Sequence, residues 1–386
     1  MSEVGSLEPR VFLSYDGGVM AVDSTDGSVT TLKHDGFLRL TEAGDGRHVM
    51  VADDKGFSVL DSGLAERPHG DHSHYYEGPA AFTDVAFAAK EPGHVVHNAG
   101  QTALYADASG EAMIFPSGAI HDNAEPSELR HLTASNPHHG VAVPLAEGRV
   151  LMTEGTEKER HSIVLYDREG KEVTRTDECP GVHGVAEVGD GSVVSFGCEN
   201  GPVVFRDGQF HKVASTEAYQ RTGNQRGSEH DRYVLTDYKV DKDADLERPT
   251  RVGILDTAAD TMRTVDLGSP YWFRSLERGP NGEGVVLTYN GKLNIIDMAE
   301  GRITKTIDVV GEWSEDKEWQ KPNVAVRVLD DIAYVSDPHS KKLHMVGLGS
   351  GKVIKTVDLP QVPNEIAVVD GHIPAGVSVA EATETD

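Results

Sequence analysis

Cationic charge is scarce in this 386-residue chain: 36 Lys and Arg stand against 63 Asp and Glu, a net charge of −27. An acidic surface of that strength repels nucleic acid and anionic membrane alike, so no nucleic-acid partner is expected. No apolar run reaches the roughly 18 residues that span a bilayer, which excludes membrane insertion by a helix. The opening Met1-Ser2-Glu3-Val4-Gly5 has neither a basic nor an apolar stretch, so no signal peptide is visible. The chain is then either cytoplasmic or a secreted protein whose leader has been replaced by Met1. Gly-x-Ser-x-Gly and His-Glu-x-x-His are both missing, which removes the usual motif support for nucleophilic and zincin hydrolysis. The recurring Gly-His and Trp-Asp signatures of WD repeats are missing too, and only three Trp occur.

Cysteine is almost absent, but the two present are informative. Cys179 precedes the apolar run Val182 to Val188, and Cys198 ends the run Ser192 to Phe196 beyond the turn Gly189-Asp190-Gly191. If those runs form a hairpin, the two thiols meet at its open end. A Cys179–Cys198 disulfide is expected there, with two inert half-buried thiols as the alternative, and the bond implies an oxidising compartment, periplasmic or extracellular.

Long helical periodicity is lacking as well. In its place, Asp-Gly and Asn-Gly turns recur between short β-branched runs, at Asp16-Gly17, Asp26-Gly27, Asp45-Gly46, Asp190-Gly191, Asp207-Gly208 and Asn290-Gly291. This is the pattern of many short antiparallel strands. A unit of four runs repeats, its third run ending in Asp. Runs read as inner strands begin near Phe37, His94, His139, His183, Thr222, Trp272, Val324 and Asn364. After a first step of 57 residues, the steps are 39 to 52 residues, the length of a propeller blade. The expected fold is all-β: a single β-propeller over residues 9–373, of eight blades, with seven as the alternative count. The C-terminal inner strand would pair with the N-terminal strands and close the ring. Residues 1–8 are expected to be flexible and the Ala-, Glu- and Thr-rich stretch 374–386 disordered. A monomer is expected.

Histidine, by contrast, is abundant, with 18 residues. His94, His139 and His183 open three consecutive units at intervals of 45 and 44 residues. A propeller brings equivalent positions together around one axis, so three imidazoles could offer neutral nitrogen ligands to one Zn²⁺. The segment Pro68-His69-Gly70-Asp71-His72-Ser73-His74 adds a His-x-His pair. On an extended backbone residues i and i+2 point the same way. His72 or His74 is therefore the expected fourth ligand, carried on a flexible insertion. His97, His138 and Asp71 stand behind these as supporting or alternative ligands. His34, His48, His121, His131, His211, His344 and His372 read as scattered surface residues. The competing classes are a WD-like interaction scaffold and a metal-dependent propeller hydrolase. No catalytic residue is singled out, and the chain is not expected to be an enzyme.

Three stretches resemble a known family. They are Gly70-Asp71-His72-Ser73-His74-Tyr75-Tyr76, Gly93-His94-Val95-Val96-His97 with Thr102-Ala103-Leu104-Tyr105, and His138-His139-Gly140-Val141-Ala142-Val143-Pro144-Leu145. Together they look like the AztD family of secreted bacterial zinc metallochaperones. The resemblance covers most of the chain, with its specific motifs within about residues 69 to 198. It implies a propeller that holds zinc outside the cytoplasm and hands it to the solute-binding protein of a zinc ABC transporter. Residues 1–10 lack the His- and Asp-rich stretch associated with that family, which turns attention to the His72 segment as the route of transfer.

Overall fold

The structure, a computed structural model, describes residues 1–380. Among them there is no α-helix; three short 3-10 turns interrupt an otherwise all-strand chain. The strands assemble into antiparallel sheets in which most neighbours follow one another in sequence, many of them joined by the tight turns that the Asp-Gly and Asn-Gly pairs predicted. The Asp that closes a third strand has a local role. Asp297 accepts the backbone N–H of Glu300 at 2.8 Å and Asp256 that of Ala259 at 3.1 Å, so each carboxylate builds the turn into the next strand.

The chain forms two compact units, one of residues 1–145 with the stretch from Pro360, the other of residues 146–359. In the first, Ile366–Val369 pairs with Arg10–Tyr15, which continues to Gly18–Asp23 and Val29–Lys33. The expected pairing of the C-terminal run with the N-terminal strands is thus present. A second sheet contains Arg39–Glu42, His48–Ala52, Gly56–Asp61 and Ala81–Ala88, and a third runs from Pro92–Asn98 to Arg130–Thr133. Middle strands such as His48–Ala52 are buried along their whole length because both faces are covered by neighbouring sheets. Phe12, Leu40, Val49, Val51, Leu60 and Ala367 form one such apolar layer.

The long first step of 57 residues has a specific cause. Between the third and fourth strands of the second sheet the chain makes an extra hairpin, Leu64–His69 with His72–Glu77. Ser2–Val4, read from the sequence as part of a flexible end, lies as a third strand along it. The insertion is therefore strand rather than flexible loop, because Gly70-Asp71 forms a two-residue turn in which Gly70 takes φ +63°.

The second unit contains four complete four-stranded meanders, starting at Val185–Val188, Gln225–Arg226, Leu276–Arg278 and Ala325–Leu329, together with strands Val150–Gly155, Arg160–Tyr166 and Glu172–Thr176. Outer strands such as Lys352–Asp358 are largely exposed, which explains why their sequences are Lys- and Thr-rich. Residues 374–380 have no regular structure, and the remainder of the expected disordered tail, 381–386, lies outside the described residues.

Candidate metal centre

His94 lies on Pro92–Asn98, where the register against the next strand shifts between Pro92 and Val95. That irregularity takes His94 out of the regular ladder. Its ring centroid is 4.8 Å from that of His139, with the planes inclined by 41°. The Nδ1 of His94 donates to the carbonyl of Gly140 at 2.9 Å. The Nδ1 of His139 donates to Asp107 Oδ2 at 2.6 Å. A carbonyl and a carboxylate can only accept, so in the neutral ring the proton is on Nδ1 and the lone pair on Nε2. Orientation of one ring nitrogen by a carboxylate or carbonyl is the usual support for a histidine that ligates a metal through the other.

In the second unit His183 has the same chemistry. Its Nδ1 donates to the carbonyl of Gly223 at 2.7 Å, and its backbone N–H to the carbonyl of Gly197 at 3.0 Å. Gly197 precedes Cys198, which is bonded to Cys179 as expected, with the Cα atoms 4.9 Å apart. Both cysteines are buried, so the bridge ties the two sides of the His183 segment together. The backbone partners of His94 and His183 each lie on the segment that opens the next repeat, whereas His139 is held by the Asp107 carboxylate.

Electrostatics favour the neutral form of His94. Desolvation, the adjacent His139 and the charge of Arg39 push the His94 pKa down to about 4, against the opposing pull of the Gly140 carbonyl and Asp107. Gly93 makes room for Asp107: a Cβ there would lie 2.3 Å from Asp107 Oδ1. Asp107 carries no sequence signal of this role, since it sits in the turn after Gln101–Ala106 and no fixed spacing links it to His139.

His72 and His74 gather with a third ring that the sequence reading also passed over, His69. The hairpin register sets His69 opposite His72, and ligand atoms of the three rings lie within 4.8 Å of one another. The Nε2 atoms of His72 and His74 are 3.2 Å apart. Outside them, His74 Nδ1 meets Glu3 Oε1 at 2.6 Å and His72 Nδ1 meets Asp71 Oδ1 at 3.2 Å. Asp71 is thus placed to orient a ring from fully exposed surface. The signal for His69 was legible in retrospect: in His69-Gly70-Asp71-His72 a two-residue turn makes positions i and i+3 cross-strand partners.

The other histidines divide. His138 faces away from His139 and is buried, with its Nδ1 2.9 Å from the carbonyl of Asn136 and its Nε2 3.3 Å from the Tyr105 hydroxyl. His97 packs over Gly44, whose absent side chain leaves the space for its Cβ. Two histidines read as surface residues are not. His48 and His121 are buried, because Asp45 lies inside the fold as an anionic partner, 2.6 Å from His48 Nδ1 and 3.8 Å from His121 Nδ1.

No protein-family model matches the chain. Among curated proteins it is similar to the zinc chaperone AztD of Citrobacter koseri, 26% identical over 377 residues that cover 94% of this chain and 86% of that protein. Two solved structures of C. koseri AztD share its fold. The apo form superposes with a TM-score of 0.81 at 23% identity, covering 94% of this chain and 98% of the other. The second gives 0.82 at 24% identity, covering 96% and 100%. A dihydro-heme d1 dehydrogenase, NirN, is more distant, at 0.63 and 10% identity, covering 96% of this chain and 76% of that one.

Proposed function

We infer, from a chain related to AztD along nearly its whole length, that this protein is a zinc metallochaperone: a carrier of the ion and not an enzyme. His94, His139 and His183 are the ligands of the tightly held zinc. The observation that carries this assignment is their shared tautomer. All three donate Nδ1–H to a fixed acceptor, which sets the lone pair of each on Nε2. Neutral imidazole nitrogens suit Zn²⁺, and a site with three protein ligands keeps a fourth position for an incoming group. The arrangement of the three follows from an eight-bladed propeller, closed by Ile366–Val369, in which one-blade intervals set equivalent residues around one axis.

His72 and His74, joined by His69, supply the exchange step. Zinc passes when a ligand of the acceptor replaces one of the carrier's, so the free ion is not released. The acceptor is the solute-binding protein of a zinc ABC transporter. The location is outside the cytoplasm, where the Cys179–Cys198 bridge is stable.

The test is a zinc titration paired with a transfer assay. The wild type binds zinc tightly, and His139→Ala and His183→Ala each weaken that binding by at least about 10-fold. Unchanged affinity in both variants removes the three-histidine site. His72→Ala with His74→Ala slows stopped-flow transfer to a zinc-binding acceptor more than it weakens equilibrium binding. Equal transfer rates remove the hairpin from the mechanism.

A further inference from the structure

The second unit has a cleft that no histidine lines. It opens between two irregular segments, 238–250 and 311–322, and encloses about 480 Å³ including its mouth. Tyr271, Trp272, Phe273 and Trp319 form aromatic walls, and Trp319 is 42% exposed at the rim. Asp237, Glu247, Glu315 and Asp316 line the same space, opposed by Lys239 and Lys317. Across residues 237–249 and 311–322 there are nine carboxylates and five cationic side chains, so the surrounding field is negative.

We propose that this cleft binds an organic cation, an ammonium or guanidinium group on an aliphatic stem. Aromatic faces attract such groups through the ring quadrupole, most strongly where water is excluded. The same rings already do so internally: the Arg274 guanidinium lies 5.1 Å from the Trp272 centroid and 4.8 Å from that of Phe273. Next to the cleft, Arg251 lies 5.0 Å from the Tyr238 ring.

Carboxylates in the wall complete the recognition. Asp237 is buried, and burial raises its pKa despite Lys239 and the hydrogen bonds from Asn224. Burial likewise raises Glu315, against the effects of Tyr289, Lys239 and Arg248, the last at 4.0 Å. A guest cation favours the ionised form of both, which water cannot reach well enough to do. Glu247 is held in place by accepting the backbone N–H groups of Val240 and Asp241. The aliphatic stem of the guest covers the aromatic walls, and its size suits one side chain or one small amine.

Tryptophan fluorescence reads this cleft directly. Only three Trp occur in the chain. Trp272 and Trp319 line the cleft, and the Trp313 ring packs at a tilt against Tyr289, with centroids 4.6 Å apart. Titration with N-acetyl-lysine methylamide is expected to give a saturable change at about millimolar concentration, typical of a single-group ligand. N-acetyl-norleucine methylamide, which lacks the ammonium, is expected to bind about 10-fold more weakly, within the range of a desolvated cation–π contact. Pentylammonium distinguishes the source of the group: binding like the lysine derivative assigns a free amine, and much weaker binding assigns a side chain of a polypeptide. Trp319→Ala, read by ligand-observed NMR, loses affinity while zinc binding, measured as the control for folding, is retained. Equal binding of the lysine and norleucine compounds overturns the proposal, as does the absence of a saturable response to any cation. Undiminished lysine binding by Trp319→Ala overturns it too.

Discussion

Replacing Asp107 with Ala isolates the contribution of a residue that cannot itself reach zinc in the proposed site. Its Oδ2 is 2.6 Å from His139 Nδ1, and the carboxylate side chain is 19% exposed, so the hydrogen bond is charge-assisted and only partly screened. A bond of this kind is worth about 1.5–3 kcal/mol. At about 1.4 kcal/mol per decade, its loss predicts about 10- to 100-fold weaker zinc binding, the range seen when the orienting partner of a metal-bound histidine is removed. The effect has two origins. Without the carboxylate the His139 ring rotates and loses its fixed tautomer, and its Nε2 becomes a poorer donor. Gly93→Ala should act in the same direction, since its new Cβ would lie 2.3 Å from Asp107 Oδ1 and must displace it. His94 and His183 offer no equivalent test, because their orienting groups are backbone carbonyls. The assay is competition against a chromophoric zinc chelator at fixed pH. Affinity of Asp107→Ala within about twofold of wild type would refute the argument that His139 binds zinc through a carboxylate-oriented ring.

Two further outcomes follow from the buried interactions. Removing the disulfide with Cys179→Ser and Cys198→Ser opens a loop with a sequence separation of 19, for which chain entropy predicts a loss of about 3 kcal/mol. The urea midpoint should fall and zinc affinity with it, because Gly197 holds the His183 backbone; an unchanged midpoint contradicts this. The pH dependence of stability should show the Asp45–His48 pair. Burial opposes charge on both groups, yet their mutual attraction and hydrogen bonds prevail, holding Asp45 well below the usual carboxylate range and raising His48. The contribution of His48 is complete below pH about 6.5 and is lost as pH rises through its raised folded value; that of Asp45 is complete above about 4 and is lost under acid. Thermal melts across this range should therefore show an alkaline decline that His48→Gln abolishes, and an identical decline in the variant would place its source elsewhere.

Strand, turn and repeat were legible in the sequence because each is local. The β-branched runs between Asp-Gly and Asn-Gly pairs produced the observed strands, and the Asp closing a third run builds the turn that follows it. The recurrence of His94, His139 and His183 at intervals of 45 and 44 residues was legible for the same reason: a repeat makes position in sequence a proxy for position in its sheet. The two cysteines could be paired because a hairpin relates its ends simply. Proximity between different elements was decided only by tertiary structure. Asp107, in the turn after Gln101–Ala106, reaches His139 in the segment before Ala142–Pro144, and the glycine at position 93 matters because of what approaches it. His48 and His121 looked like surface residues because histidine burial depends on a partner, and Asp45 becomes that partner only once the fold encloses all three. His69 joins His72 and His74 because the extra residues form a registered hairpin rather than a loop, and register is a property of two strands together.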